Sequence, residues 1–343
     1  MNIDLGSKII DGAMSGNISH ETGYSSTAYL IFEKCFGQEL ACFFESQEFT
    51  ELMINGTDAV FVEKNGQVIE TEFKVDDKAI SVFLDVVSHL NSRNIDFSHP
   101  IFDGKLPGAY RCNVVLPPVS LNGPLITLRK HIQRINNFEV LISSGMMTQK
   151  TSQVLIKALV EKKNIIVAGG TGTGKTTLVN ILFNSLDDTC SNERIITIED
   201  TAELNIRLKH VLKLESRFKT PDCPFEITIR DLVKTALRMR PDRLVVGEVR
   251  GEEAYDLLHA VNTGHRGTVC TIHANSCRDA LRRLETLAIL GHSNLDISIP
   301  RSWIASNINL VVYIERAAGV RKISQVQSII GVEAGNYVLE DLV

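Results

Sequence analysis

Residues 169–176 read Gly169-Gly170-Thr171-Gly172-Thr173-Gly174-Lys175-Thr176, a run that leaves the chain few folds to choose from. Its glycines let backbone N–H groups turn inward around phosphate oxygens with no Cβ in the way. Ile165-Ile166-Val167 precedes the run, and an apolar-periodic stretch from Thr176 to Leu186 follows it. That is the strand–loop–helix setting a Walker A P-loop requires. The helix start adds its positive end to the cradle. Gly169, Gly170, Thr171, Gly172, Thr173, Gly174, Lys175, Thr176 and Thr177 are therefore the expected contacts to ATP. Lys175 is expected to reach the β- and γ-phosphates, and the Thr176 hydroxyl to ligate Mg²⁺.

A loop of this kind needs a parallel sheet behind it, and the second half of the chain supplies the pattern. Asn164 to Ala168, Arg194 to Ile198, Arg243 to Gly247 and Gly267 to Ile272 read as apolar strands. Helix-like segments lie between them: Thr176 to Leu186, Asp231 to Met239 and Ala254 to Val261. Such alternation predicts an α/β, doubly wound sheet with helices on both faces. Each strand candidate ends in chemistry: the P-loop, then Glu199-Asp200, Glu248 and His273. Open parallel sheets bind ligands beyond the carboxyl ends of their strands, so these groups are expected to gather around the phosphates. Glu248, after Leu244-Val245-Val246-Gly247, is the candidate to polarise an attacking water. Gly247 stands where a Walker B motif usually carries Asp, leaving Glu199 or Asp200 to support the metal. His273 is the candidate to sense the γ-phosphate.

The first half reads differently. Residues 1–24 form a polar arm. Ser26 to Glu45 has one apolar face and predicts a helix. Leu52-Met53-Ile54, Ala59 to Glu63 and Val68 to Phe73 predict a three-strand meander, because Asn55-Gly56 and Asn65-Gly66 supply tight turns between them. Asp76-Asp77 predicts a helix cap ahead of Ile80, Phe83, Leu84, Val87 and Leu90. Two further strands are expected at Tyr110 to Leu116 and Leu125 to Arg129. The expected organisation is an α+β domain over 25–130, a linker over 131–150 with a short helix, and an ATPase domain over 151–343.

Charge supports two parts. Residues 1–104 carry 6 Lys+Arg against 17 Asp+Glu, a balance of −11, while residues 105–343 carry 30 against 24, a balance of +6. Neither is the strongly basic signature of a dedicated nucleic-acid binder. The 343 residues, 44% hydrophobic and 22% charged, fit two globular domains of roughly 150 residues each. No apolar run approaches the roughly 18 residues of a membrane span, and Met1 to Ser15 lacks the pattern of a signal peptide. The seven cysteines (35, 42, 112, 190, 223, 270 and 277) include no CxxC pair, so neither a disulfide framework nor a zinc site is expected.

Taken together, the chain resembles the secretion-ATPase superfamily of type IV and type II secretion and type IV pilus systems, over about Glu51 to Glu315. The resemblance rests on the P-loop, an Asp box (Ile195 to Leu204), a Walker B block (Ala236 to Gly251) and a His box (Asn262 to Ser276). A glycine before the Walker B glutamate is normal in that family. Glu51 to Gly56 and Gly123 to Lys130 look most like the conjugal-transfer TrbB branch, with the Tad pilus ATPase CpaF close behind. The four-cysteine zinc insertion typical of type II secretion ATPases is absent. The resemblance implies a RecA-like ATPase domain after a smaller N-terminal domain and a homo-oligomer, expected to be a hexamer. It also implies a cytoplasmic protein docked peripherally on inner-membrane secretion or pilus machinery. Arg111 and Arg129 would reach nucleotide phosphates from the first domain, a task suited to the guanidinium fork. Arg217, Arg238 and Arg240 are candidates to contact a neighbouring subunit's nucleotide, each with pairing to a nearby carboxylate as the alternative. Other readings are an ATPase of a Tad, type IV pilus or type II machine, or a nucleic-acid-stimulated motor of the RecA or helicase kind. No sequence-specific nucleic-acid binding is expected.

Overall fold

The computed structural model describes residues 23–46, 48–64, 66–108, 110–130, 137–186, 192–219, 224–292, 294–317 and 320–343. The expected polar arm lies outside them except for its last two residues, as do Cys190, Cys223 and the first part of the expected linker. The chain divides into two compact units, Met1–Ile132 with Lys219–Phe225, and Gln133–Phe218 with Glu226–Val343.

The first unit opens with two helices, α1 (Gly23–Phe36) and α2 (Gln38–Glu45). The sequence predicts a single helix here. Gly37, at φ 89°, breaks it, because that backbone conformation cannot continue a right-handed helix. Three strands follow, β1 (Phe49–Asn55), β2 (Ala59–Lys64) and β3 (Gln67–Glu70), and then helix α3 (Asp77–Asn91). Asp76 caps α3 by accepting from the Ala79 N–H at 2.6 Å. Strands β4 (Ile101–Leu106), β5 (Tyr110–Val115) and β6 (Leu125–Arg129) complete an antiparallel sheet of order β3-β2-β1-β6-β5-β4. Register sets its two faces. Val60, Ile54, Ile126, Val114 and Phe102 align across five strands, and with Leu52, Leu128 and Cys112 they form one buried core with Phe32, Phe44, Ile80 and Phe83 of the helices. The next register row, Glu51, Arg129, Arg111 and Lys105, falls on the opposite face, because successive side chains alternate.

The second unit begins with α4 (Phe138–Ser143) and α5 (Gln149–Val160), so the described part of the expected linker holds one short helix and the start of another. Then come β7 (Ile165–Gly169), α6 (Lys175–Asn184), β8 (Ile195–Glu199), β9 (Val211–Glu215), α7 (Ile229–Ala236), β10 (Arg243–Val246), α8 (Glu253–Asn262), β11 (Val269–Ile272), α9 (Cys277–Gly291) and α10 (Ser298–Asn307). Strands β12 (Leu310–Ala317), β13 (Val320–Glu333) and β14 (Asn336–Asp341) close the chain. The sheet order is β14-β13-β12-β7-β11-β10-β8-β9. Six strands from β12 to β9 run parallel, and β13 and β14 are antiparallel additions.

Both faces of this sheet are covered. One core joins Ile166, Ile196, Ile198, Leu244, Val246 and Ile272 to α7, α8, α9 and α10. The other joins Ile165, Val167, Ile195, Val245, Val269 and Val312 to α4, α5 and α6. Burial on both faces is why these strands read as unbroken apolar runs. Removing each such side chain from water contributes about 1.5–3 kcal/mol, which makes the central strands a firm support for the loops at their ends. The architecture is an α/β, RecA-like domain preceded by a smaller α+β domain.

Candidate nucleotide-binding site

The P-loop leaves β7 at Gly169 and enters α6 at Lys175, with Gly174 at the helix start in the left-handed region (φ 99°). A Cβ on Gly169 would lie 2.5 Å from the Ile314 carbonyl oxygen and 2.7 Å from Thr173 Oγ1, so the loop is packed too tightly for alanine there. The Thr173 hydroxyl donates to the Gly170 carbonyl at 3.0 Å and braces the turn. The Lys175 ammonium folds back onto the carbonyls of Gly169 (3.0 Å) and Gly170 (2.8 Å). Burial draws its pKa below the ordinary value, against the opposing pull of Glu248. Among the described residues the Thr176 and Thr177 hydroxyls have no hydrogen-bond partner. The glycine cradle and the helix start fit a phosphate chain, and the Thr176 hydroxyl fits a hard cation that the same phosphates would share. No group of three or more His, Cys, Asp or Glu side chains is placed to hold a metal among the described residues.

Parallel register brings the other strand ends to the same edge. Glu248 follows β10 and His273 follows β11, next to β7. His273 Nε2 lies 2.9 Å from Glu248 Oε1, yet that buried oxygen accepts no well-directed hydrogen bond. Burial, reinforced by the Lys175 charge, holds the His273 pKa below its ordinary value despite Glu248. Glu248 Oε2 accepts from the Arg250 guanidinium at 2.7 Å.

Glu199, at the end of β8, has another task. Its Oε1 accepts the backbone N–H groups of Glu203 and Leu204, both at 2.9 Å. Burial pushes its carboxyl up to about 7 against those two hydrogen bonds. The same side chain explains Gly247. A Cβ at 247 would sit 2.7 Å from Glu199 Cγ, so the position is glycine because the neighbouring strand's glutamate fills the space. Asp200 accepts from the Ser216 hydroxyl at 3.2 Å and stands 3.7 Å from the Arg250 guanidinium.

Arg111 and Arg129 belong to the first unit, where they are direct cross-strand neighbours. Arg111 reaches Asp103 at 3.4 Å and Arg129 reaches Glu51 at 3.4 Å, with Lys105 next along the same row. Like charges side by side repel, so the flanking carboxylates ease the row. Arg217 pairs through its backbone with Ile227. Arg240 takes a positive φ of 55° just before β10, at the strand's amino end.

Two groups escape sequence reasoning. One is Arg250, two residues past Glu248, a spacing visible in the chain but without meaning until the rotamer is known. The other is Arg321 of β13, whose Nε donates to the Gly172 carbonyl at 3.0 Å from a strand the sequence reading does not assign.

A RecA-like parallel sheet carrying a P-loop, with acid and imidazole groups at the neighbouring strand ends, defines a protein of the P-loop class. Within that class the chain belongs to the Type II/IV secretion system protein family, whose model matches residues 39–319. It is 32% identical over 305 residues to the conjugal transfer protein TrbB of Rhizobium radiobacter, covering 89% of this chain and 91% of that one. Its fold is similar to that of the Legionella pneumophila ATPase DotB, with a TM-score of 0.59 at 20% identity, covering 87% of this chain and 81% of that one. It is also similar to the pilus retraction motor PilT solved with bound ADP, with a TM-score of 0.58 at 21% identity, covering 85% and 78% of the two chains. No helix among the described residues is long and apolar enough to cross a membrane.

Proposed function

We infer that the chain is an ATP-hydrolysing motor of a type IV secretion or conjugation machine, acting as a homohexamer docked on the cytoplasmic side of the inner membrane. The observation that carries the hydrolytic reading is the buried, unsatisfied Glu248 Oε1 at the edge that holds Lys175 and His273. A buried acceptor without a well-directed hydrogen bond is costly, and in a native site it calls for a functional account. A water oriented by this carboxylate supplies one. The likeness to the conjugal transfer protein TrbB, over 89% of this chain and 91% of that one, supports the cellular role.

The steps follow from the residues present. The P-loop N–H groups and Lys175 hold the β- and γ-phosphates. Mg²⁺, held by the Thr176 hydroxyl together with the phosphates, supplies neutralisation of their charge when bound. Glu248 orients the water and accepts its proton as the oxygen bonds to the γ-phosphorus. The bond to the β–γ bridging oxygen breaks, and ADP leaves with the electron pair. His273 offers one N–H to the γ-phosphoryl oxygens. The change from ATP to ADP and phosphate at this loop is the event that biases the motor's conformational switch.

Purified protein is expected to hydrolyse Mg-ATP, with Lys175→Ala abolishing activity and weakening nucleotide binding. Glu248→Gln is expected to retain ATP while slowing turnover by about 10²-fold or more. Near-normal turnover in Glu248→Gln removes Glu248 from the role of base.

A further inference from the structure

Arg250 is built as a swinging arm on a fixed pivot. Its backbone is pinned: the N–H groups of Arg250 and Gly251 both donate to Glu253 Oε1, at 2.6 and 2.8 Å. The preceding Val249 is buried and donates to the Thr271 carbonyl at 2.9 Å. The side chain, in contrast, is 55% exposed. Its guanidinium sits between two carboxylates, 2.7 Å from Glu248 Oε2 and 3.7 Å from Asp200 Oδ2. Arg250, Asp200 and Ser216 also line an open pocket of about 320 Å³, which gives the arm room to move.

These contacts compete. A carboxylate whose Oε2 is engaged by a guanidinium in a charge-assisted hydrogen bond is restrained in orientation and is a poorer acceptor for a water proton. Asp200 offers the guanidinium a second carboxylate one short swing away, and among the described residues Asp200 is otherwise held by Ser216. We propose that Arg250 gates the reaction: it restrains Glu248 in the resting site and releases it by passing to Asp200. Arg250 is thus a positioning residue, and Asp200 the acceptor that draws it away. The proposal rests on the reading of Glu248 as the base.

The test is a mutant cycle on the full-length protein, read by single-turnover hydrolysis with enzyme in excess, so that product release does not mask the chemical step. Arg250→Gln is expected to raise the single-turnover rate about fivefold, with ATP affinity within about twofold of wild type, as removal of a restraint on a minor active state should. Asp200→Asn is expected to lower the rate about fivefold, because the arm then stays on Glu248. The double variant should match Arg250→Gln, since Asp200 matters only while the arm is present. Arg250→Lys, keeping the charge without the fork, should fall between wild type and Arg250→Gln.

A slower or unchanged rate in Arg250→Gln, with an unchanged melting temperature, overturns the gate. So does a double variant in which the Asp200→Asn loss persists in full. A loss that excess Mg²⁺ restores assigns Asp200 to metal support instead and equally overturns it. Glu248→Gln separates the two levels. If it hydrolyses at the wild-type rate, the underlying reading of the base fails; if it is inactive while Arg250→Gln is slow, only the gate fails.

Discussion

Glu199 sets three things with one side chain: it fills the space a Cβ at 247 would need, ties the backbone of 203 and 204, and carries a carboxyl that burial pushes up to about 7. The ordinary carboxyl value is 4.5, so between these two values the folded chain binds the proton more tightly than the unfolded one. Stability is then greatest below the lower value and falls as pH rises through the folded-state value. The shift corresponds to about 3 kcal/mol at most. Glu199→Gln cannot ionise and should flatten this dependence. Chemical denaturation at about pH 5 and about pH 8 is expected to show the variant losing on the order of 1–3 kcal/mol less than wild type. Equal losses in the two proteins would assign the titration elsewhere. Gly247, by contrast, has no consequence visible in its own surroundings along the chain. Its reason is a side chain 48 positions earlier on the adjacent strand, so the sequence shows the missing Asp but not the cause.

Among the elements, the C-terminal strands contribute more than sheet area. β12 brings the Ile314 carbonyl against Gly169, and β13 brings Arg321 onto Gly172 and pairs the Ile323 N–H with the Met146 carbonyl at 2.8 Å. The phosphate loop is thereby braced from the far end of the chain. Arg321→Ala removes one loop contact at an exposed position, and a hydrogen bond of this kind contributes about 0.5–1.5 kcal/mol. The expected result is an ATP Kd raised by about threefold to tenfold with little change in melting temperature. Unaltered affinity would show that the loop holds its shape alone. The sequence reading assigns none of these strands: β12, an apolar run with Leu310, Val311, Val312 and Ile314 buried, is passed over, and β13 gives little signal. β7, β8, β10 and β11 announce themselves as apolar runs because both of their faces are buried. β9 and β13 are largely half-buried or exposed and carry Lys, Arg, Gln and Ser, so their period is lost among polar residues. β4, with Asp103, Gly104 and Lys105 in its middle, was hidden for the same reason. The P-loop, Glu248 and His273 were readable because strand ends and loop spacing place them. The grip of Arg250 on Glu248 was not, since it depends on a side-chain rotamer.

For the whole molecule, the reading as a ring motor predicts that hydrolysis depends on association. Specific ATPase activity of the wild type, with Lys175→Ala as the blank, is expected to climb with protein concentration to a plateau as copies assemble. Flat activity in a protein shown to be monomeric by sedimentation would favour a self-contained ATPase. Assembly also exposes a hazard that the sheets answer. Each sheet ends in strands whose outer side meets no further strand among the described residues, and such edges invite another copy to add on. Here β3 is only four residues long. β4 carries Asp103 and Lys105, β9 carries Lys213 and Glu215, and β14 ends in Glu340 and Asp341. Short or charged margins discourage strand addition. Were copies of this chain to crowd side by side, such margins would steer them away from fibre-like stacking.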